Sequence, residues 1–223
     1  MAVVYQERLS DSPFVQTIWH TQATSDGSNV VVADSSWDML VFRREGKLQL
    51  SVWGAMTKAT PIAHDEGSEC LGIRFKLGTA MPHLQTNDLL DAGIALPEAA
   101  SQSFWLSGSA WQFPDYENVD TFVARLVREG LLVRDPVVDV VLQGQTDAVS
   151  LRSLQRHFVQ TTGLTYKAIQ QIERAQQAAA LLGQGLSILD TSDQLGYFDQ
   201  SHLTNSLKRF VGQTPAQILR TTP

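Results

Sequence analysis

Two periodicities divide the chain. Short apolar or alternating runs, Val30-Val31-Val32, Met39-Leu40-Val41-Phe42, residues 48–53 and residues 70–75, recur roughly every ten residues, the spacing of consecutive strands. Turn-forming stretches separate them: Asp34-Ser35-Ser36, Glu45-Gly46 and Glu66-Gly67-Ser68. The pattern predicts an antiparallel sandwich or small barrel. A short helical passage is expected around residues 84–90. Strand-like or irregular chain carrying Trp105 and Trp111 then leads to Pro114.

Beyond Pro114 the apolar spacing becomes helical and stays so. Asn118 is placed to cap a helix carrying Phe122, Val123, Leu126 and Val127 and ending at Gly130. Asp135-Pro136, a cap followed by a first-turn proline, opens a second helix with Val137, Val138, Val141 and Leu142. The expected fold class is therefore α+β. A β-rich region at 1–117 precedes a connecting helix at 118–134 and an all-α domain at 135–223.

The helical part repeats itself at an ungapped offset of 49. Leu154 falls on Leu203, Phe158 on Leu207, Gly163 on Gly212, Thr165 on Thr214 and Ile169 on Ile218. In each copy a capping residue, Ser150 or Asp199, starts a helix with an apolar stripe, Leu151, Leu154 and Phe158 or Leu203, Leu207 and Phe210. Gly163 or Gly212 then supplies the left-handed end. Thr165 or Thr214 caps the helix that follows, with Pro215 at its first position in the second copy.

Opposite the first stripe lie Arg152, Gln155 and Arg156, related by i, i+3 and i+4 and so on one face. These are side-chain types that read base edges or hold phosphates. The second copy presents Ser201, Thr204, Asn205 and Lys208, with Gln200 and His202 at the edges. Between the copies, Ile169, Ile172, Ala175, Ala179 and Leu182 predict a helix of about 25 Å, long enough to hold both faces on one side of a duplex. Ser187, with Asp190 three residues on, opens a support helix lined by Ile188, Thr191, Ser192 and Leu195, and Gly196 turns into Asp199. Helix, glycine turn and helix with a polar outer face is the helix-turn-helix plan.

Charge at first opposes this reading, because the chain is net -6 and phosphate binding needs basic clusters. Partition changes the picture. Residues 1–129 hold 9 Lys and Arg against 16 Asp and Glu, net -7, whereas residues 150–223 hold 7 against 4, net +3. So modest a basic patch predicts few phosphate contacts, a shallow salt slope and help from a second subunit or a neighbouring protein. No apolar run approaches a membrane span, the N-terminus lacks a signal-peptide layout, and the single Cys70 suits a reducing compartment. A cytoplasmic protein is expected.

These residues resemble the AraC/XylS family of transcriptional regulators. The likeness lies in Ser187-Ile188, Leu195 to Leu203 and Leu207 to Pro215, together with the first unit from Ser150 to Thr165. It covers about a third of the chain, and its specificity comes from many fixed spacings agreeing together. It implies that Arg152, Gln155 and Arg156 lie on one recognition helix and Gln200, Ser201, His202, Thr204 and Asn205 on the other. Implied partners are double-stranded DNA, a small-molecule effector, a second copy of the chain and, for an activator, RNA polymerase. The acidic half resembles more loosely the β-barrel sensing domains of the family. Three departures stand out. Asn205 occupies a position where the family often has Arg, Tyr166 replaces the usual Pro, and the offset of 49 fails for the first support helix, where Gln145-Thr146-Asp147-Ala148 lengthens the turn.

The competing class is a β-barrel metal enzyme or small-molecule binding protein with a degenerate DNA-binding end. His20, His64 and His83 are scattered, and His64-Asp65-Glu66 is the single cluster with metal-ligating types. No nucleophile elbow, phosphate-cradling loop or Cys/His pairing is present, and no cofactor or enzyme activity is expected. A barrel lined by Trp37, Trp53 and Arg74 would offer a ligand site, with Arg74 as anion partner.

Overall fold

The computed structural model describes residues 3–44, 46–100, 102–144 and 150–221. Its first half is antiparallel sheet and its second half helix, the expected α+β class. Strands β1 (Val3–Arg8), β2 (Val15–Ala23), β3 (Gly27–Val31), β4 (Asp38–Arg44), β5 (Lys47–Trp53), β6 (Thr60–His64) and β7 (Glu69–Phe75) come first. The short strands β8 (Thr79–Ala80), β9 (Gly93–Ala95), β10 (Glu98–Ala99), β11 (Ser103–Leu106) and β12 (Ser109–Gln112) follow. One sheet runs β1-β2-β7-β4-β5-β9, β3 pairs with β6, and β10 to β12 form a three-stranded sheet. The expected short helical passage is a 3₁₀ turn at Thr86–Leu89.

The strand pattern missed β2 for a physical reason. Its pairing with β7 slips between Val15 and Thr17. The buried residues Val15 and Ile18 are consequently three apart, and no alternation survives. β6 was hidden by Pro61, which cannot donate to a ladder; the strand sits in the two-stranded ribbon, where Pro61 pairs with Val30. Gly72 of β7 lies directly beneath Trp19, whose ring would stand 2.1 Å from an added Cβ.

Helix α1 (Val119–Arg128) follows Asn118, but not through the expected side-chain cap. Asn118 Oδ1 instead accepts the Asp115 amide at 3.0 Å, closing a local turn. Val119, Phe122, Val123 and Leu126 bury themselves in the core formed by the sheet, together with Leu131 and Leu132. Strand β13 (Val133–Arg134) pairs with β8 before the chain enters α2 (Pro136–Leu142), α3 (Leu151–Thr162), α4 (Tyr166–Gly183), α5 (Ile188–Gln194), α6 (Gln200–Phe210) and α7 (Pro215–Thr221).

A second core joins Val138 and Val141 of α2 to Leu154, Phe158, Ile169, Ile172, Ala175, Leu182, Leu203, Leu207 and Phe210. Ala33 and Ala55, from the sheet half, are fully or almost fully buried in that same cluster. The two halves also meet through main-chain hydrogen bonds. The Ala33 amide donates to the Phe210 carbonyl at 2.7 Å, and the Ala59 amide to the Arg209 carbonyl at 2.8 Å. The last carbonyls of a helix have no partner within it, so loops of the sheet half satisfy two orphan acceptors of α6.

Candidate DNA-binding surface

The duplicated frame is built from local hydrogen bonds. Ser150 Oγ accepts the Ser153 amide at 3.2 Å and starts α3; Asp199 accepts the His202 amide at 2.7 Å and starts α6. Both helices end on a left-handed glycine, Gly163 at φ 74° and Gly212 at φ 79°. Thr165 then accepts from Ala168, and Thr214 from Gln217, each at 3.2 Å. These three pairs, Ser150 and Asp199, Gly163 and Gly212, Thr165 and Thr214, are displaced by the same 49 positions read from the sequence.

Packing decides which face of each helix is free. Leu154 and Phe158 turn α3 inward, as Leu203, Leu207 and Phe210 turn α6. Arg152, Gln155 and Arg156 are consequently exposed together on α3. Gln200, Ser201, His202, Asn205 and Lys208 are exposed on α6, while Thr204 is half-buried. His202 is also engaged with its own turn: the Phe198 amide donates to its Nδ1 at 3.4 Å, and its ring meets the Tyr197 ring edge-on at 5.1 Å.

Each of these helices is held by a support helix. Ser187 caps α5 by accepting the Asp190 amide at 3.1 Å, and its hydroxyl donates to the Asp190 carboxylate at 2.6 Å. Thr191 and Ser192 are buried under α5, with Ile188 and Leu195 half-buried beside them. On the other side Asp135 has two tasks. One carboxylate oxygen accepts the Val137 and Val138 amides and caps α2; the other meets His157 Nδ1 of α3 at 2.7 Å. Tyr166 packs its ring 4.9 Å from Phe158. The lengthened turn expected at Gln145-Thr146-Asp147-Ala148 and the side chain of Leu151 lie outside the described residues.

Neither Trp37 nor Trp53 lines the cavity that Arg74 borders. Trp37 is buried, stacks on Phe75 with ring centres 4.0 Å apart and donates its indole N–H to the Thr79 carbonyl at 2.7 Å. Trp53 lies over Gly93. Arg74 does line a cavity of about 330 Å³, but with Gln16, Asp34, Lys76, Arg134 and Gln176 as neighbours rather than the tryptophans. It sits between the sheet and α4, because Gln176 belongs to α4 and donates to the Ala33 carbonyl at 2.7 Å.

Arg74 is itself held by two acids, with contacts of 2.5 Å to Asp34 and 3.0 Å to Asp38. Burial pushes the Asp38 carboxyl up to about 7 despite the pull of Arg74, and the neighbouring Asp34 adds to the rise. Burial raises Asp34 as well. One guanidinium cannot neutralise two desolvated carboxylates. Burial also pushes the Cys70 thiol up to about 12, which keeps it from acting as a thiolate nucleophile near neutral pH.

Among the described residues, no group of three His, Cys, Asp or Glu converges to hold a metal ion. His64 turns both ring nitrogens out of solvent without a hydrogen-bond partner. No described helix is long and apolar enough to cross a membrane.

Residues 147–221 match the family described as a helix-turn-helix domain. They are an AraC-type helix-turn-helix domain. The match thus begins just before Ser150 and includes both capped units, α3 to α7. The chain is 33% identical over 95 residues to the HTH-type transcriptional regulator RipA of Corynebacterium glutamicum, covering 42% of this chain and 28% of that protein. It is 38% identical over 72 residues to RipA of Corynebacterium diphtheriae, covering 32% of this chain and 22% of that one. A crystal structure of an apo ToxT variant from Vibrio cholerae strain SCE256 aligns over 100% of this chain and 98% of its own, at 10% identity and a TM-score of 0.44.

One exposed side chain at this surface carries no role in the sequence reading. Phe198, in the turn before α6, is 92% exposed. The sequence signal that marks it is its place directly before a helix cap, where an apolar side chain is expected to pack inward.

Proposed function

We propose that the protein is a sequence-specific DNA-binding transcriptional regulator. The observation that supports this most is the pair of capped helices 49 residues apart, each with its apolar stripe buried and its polar face free. Arg152, Gln155 and Arg156 would read or clamp one half-site, and Gln200, Ser201, His202, Thr204, Asn205 and Lys208 the other. The curated relatives carry the name of transcriptional regulators and agree with this reading. Selection of duplexes from a random pool, followed by titration at stated salt, tests it. A strong site preference that Arg152→Ala and Arg156→Ala relax by about 1–3 kcal/mol each is expected. Absence of site preference at every salt concentration overturns the proposal.

The sheet half is proposed to tune DNA binding. Its support is the docking of Ala33 and Ala59 on the C-terminal end of α6. A small effector would be accommodated in the cavity beside Arg74, between sheet and α4. A homodimer would supply the phosphate contacts that a net +3 domain lacks. For an activator, RNA polymerase is the further partner.

A further inference from the structure

Phe198 is the most exposed large apolar side chain among the described residues, at 92%. It stands immediately before Asp199, the residue that caps α6. An apolar residue at that position ordinarily folds back onto the fourth residue of the helix and fixes the angle at which the chain enters. Here that residue is Leu203, which is fully buried, while Phe198 remains in solvent. The inward packing is done instead by the preceding residue. Tyr197 is 5% exposed, its ring meets His202, and its hydroxyl lies 3.2 Å from Ser206 Oγ. With Tyr197 anchoring the turn, the Phe198 ring is left pointing away from the fold.

The end of α6 on which the ring stands is the one that a helix-turn-helix inserts into the major groove, where the first residues of the recognition helix meet base edges. Gln200 and Ser201 follow it and are exposed. The Asp199 carboxylate is turned onto the His202 amide rather than outward. Base edges in the major groove offer one apolar feature, the C5-methyl of thymine, and an aromatic ring is among the side chains that pack on it.

We propose that Phe198 is a specificity-determining residue whose ring packs against a thymine methyl in the half-site read by α6. Contact removes apolar surface from water on both partners, which is the driving force available to an exposed phenyl ring. The matching position of the first unit, at the offset of 49, is Val149, with a shorter apolar side chain. The inference rests on the DNA-binding reading above.

The test is a uracil scan of a duplex selected by the wild-type chain, since replacing thymine by uracil removes the methyl and leaves the pairing edge intact. Wild type is expected to lose roughly fivefold to tenfold in affinity at one or two thymines of the half-site assigned to α6. Phe198→Ala is expected to start from that weakened affinity and to lose nothing further on uracil substitution at the same positions. Phe198→Leu should retain part of the discrimination. Equal uracil penalties in wild type and Phe198→Ala overturn the proposal. So does unchanged DNA affinity in Phe198→Ala coupled with lost transcription in a purified polymerase system, which would make the ring a protein contact. A wild-type chain that selects no duplex overturns the DNA-binding reading itself, a distinct outcome. Because the ring is solvent-exposed, the variants should melt with the wild type, and a shared melting temperature verifies that folding is intact.

Discussion

The amide of Ala33 donates to the carbonyl of Phe210 across 2.7 Å, joining the sheet half to the end of α6. The carbonyl of the same residue accepts Gln176 Nε2 of α4, also at 2.7 Å. Ala33 therefore ties two helices of the AraC-type domain to one loop. Its neighbour Asp34 ties the loop to Arg74 of β7. A displacement of this loop would be felt at α6 and at α4, each through one direct hydrogen bond rather than through a flexible linker.

Gln176→Ala removes the side-chain donor to a buried carbonyl and is expected to destabilise the fold by about 1 kcal/mol. The amides of Ala33 and Ala59 should exchange with deuterium faster in the variant, while the amides of β4 and β7 remain protected. Uniform acceleration across both halves would show that this bond does not act locally.

Gly212→Ala tests the same junction from the other side. Gly212 has φ +79°, and an added Cβ would lie 2.9 Å from Val30 Cγ1 and 3.1 Å from Ala59 Cβ. Backbone strain and crowding should together cost about 1–3 kcal/mol. Gly130→Ala is the control: φ is +70° but the space is open, so only the conformational strain of about 1 kcal/mol remains. Denaturant titration of the two variants checks the difference.

Caps should matter for both α3 and α6. Ser150→Ala and Asp199→Ala each remove a side-chain acceptor for a helix amide, at an expected cost of about 1 kcal/mol. Thermal unfolding followed by circular dichroism measures this. Lys208→Ala, by contrast, should leave the melting temperature alone and reduce the salt slope of DNA binding by about one.

The Asp34, Arg74 and Asp38 cluster predicts a pH dependence. An aspartate in the unfolded chain titrates near ~3.9, whereas folded Asp38 titrates at about 7. Between these values the folded state keeps a proton that the unfolded state has released. This group's contribution to stability therefore falls as pH rises through the window and levels off above about 7. Asp38→Asn should flatten that slope and raise stability on the alkaline side. Urea unfolding of wild type and variant at several pH values gives the comparison. A slope unchanged by the substitution would assign the effect elsewhere.

Much of the helical half was legible because its signals are local. Ser150, Thr165, Ser187 and Asp199 cap where the spacing placed them, since a cap needs only an oxygen two or three residues from an amide. Gly163 and Gly212 take left-handed conformations that glycine adopts at little cost. The exposed face of α3 followed from its stripe. By contrast β2 was hidden by a register slip at Val15 and Thr17, and Asn118 lost its capping task to Asp115 and its local turn.

The sequence alone therefore determined the class of each half, the duplication and the polar faces of α3 and α6, because period, caps and glycine turns act over a few residues. Only the tertiary structure decided what those elements meet. It sent Trp37 into the core instead of a ligand site and gave Arg74 two acids. It left Phe198 in water because Tyr197 had filled the space beneath, and it set Ala33 against the end of α6. Each of these depends on chain segments far apart in sequence competing for one volume or one hydrogen-bonding group, and no local pattern records the outcome of that competition.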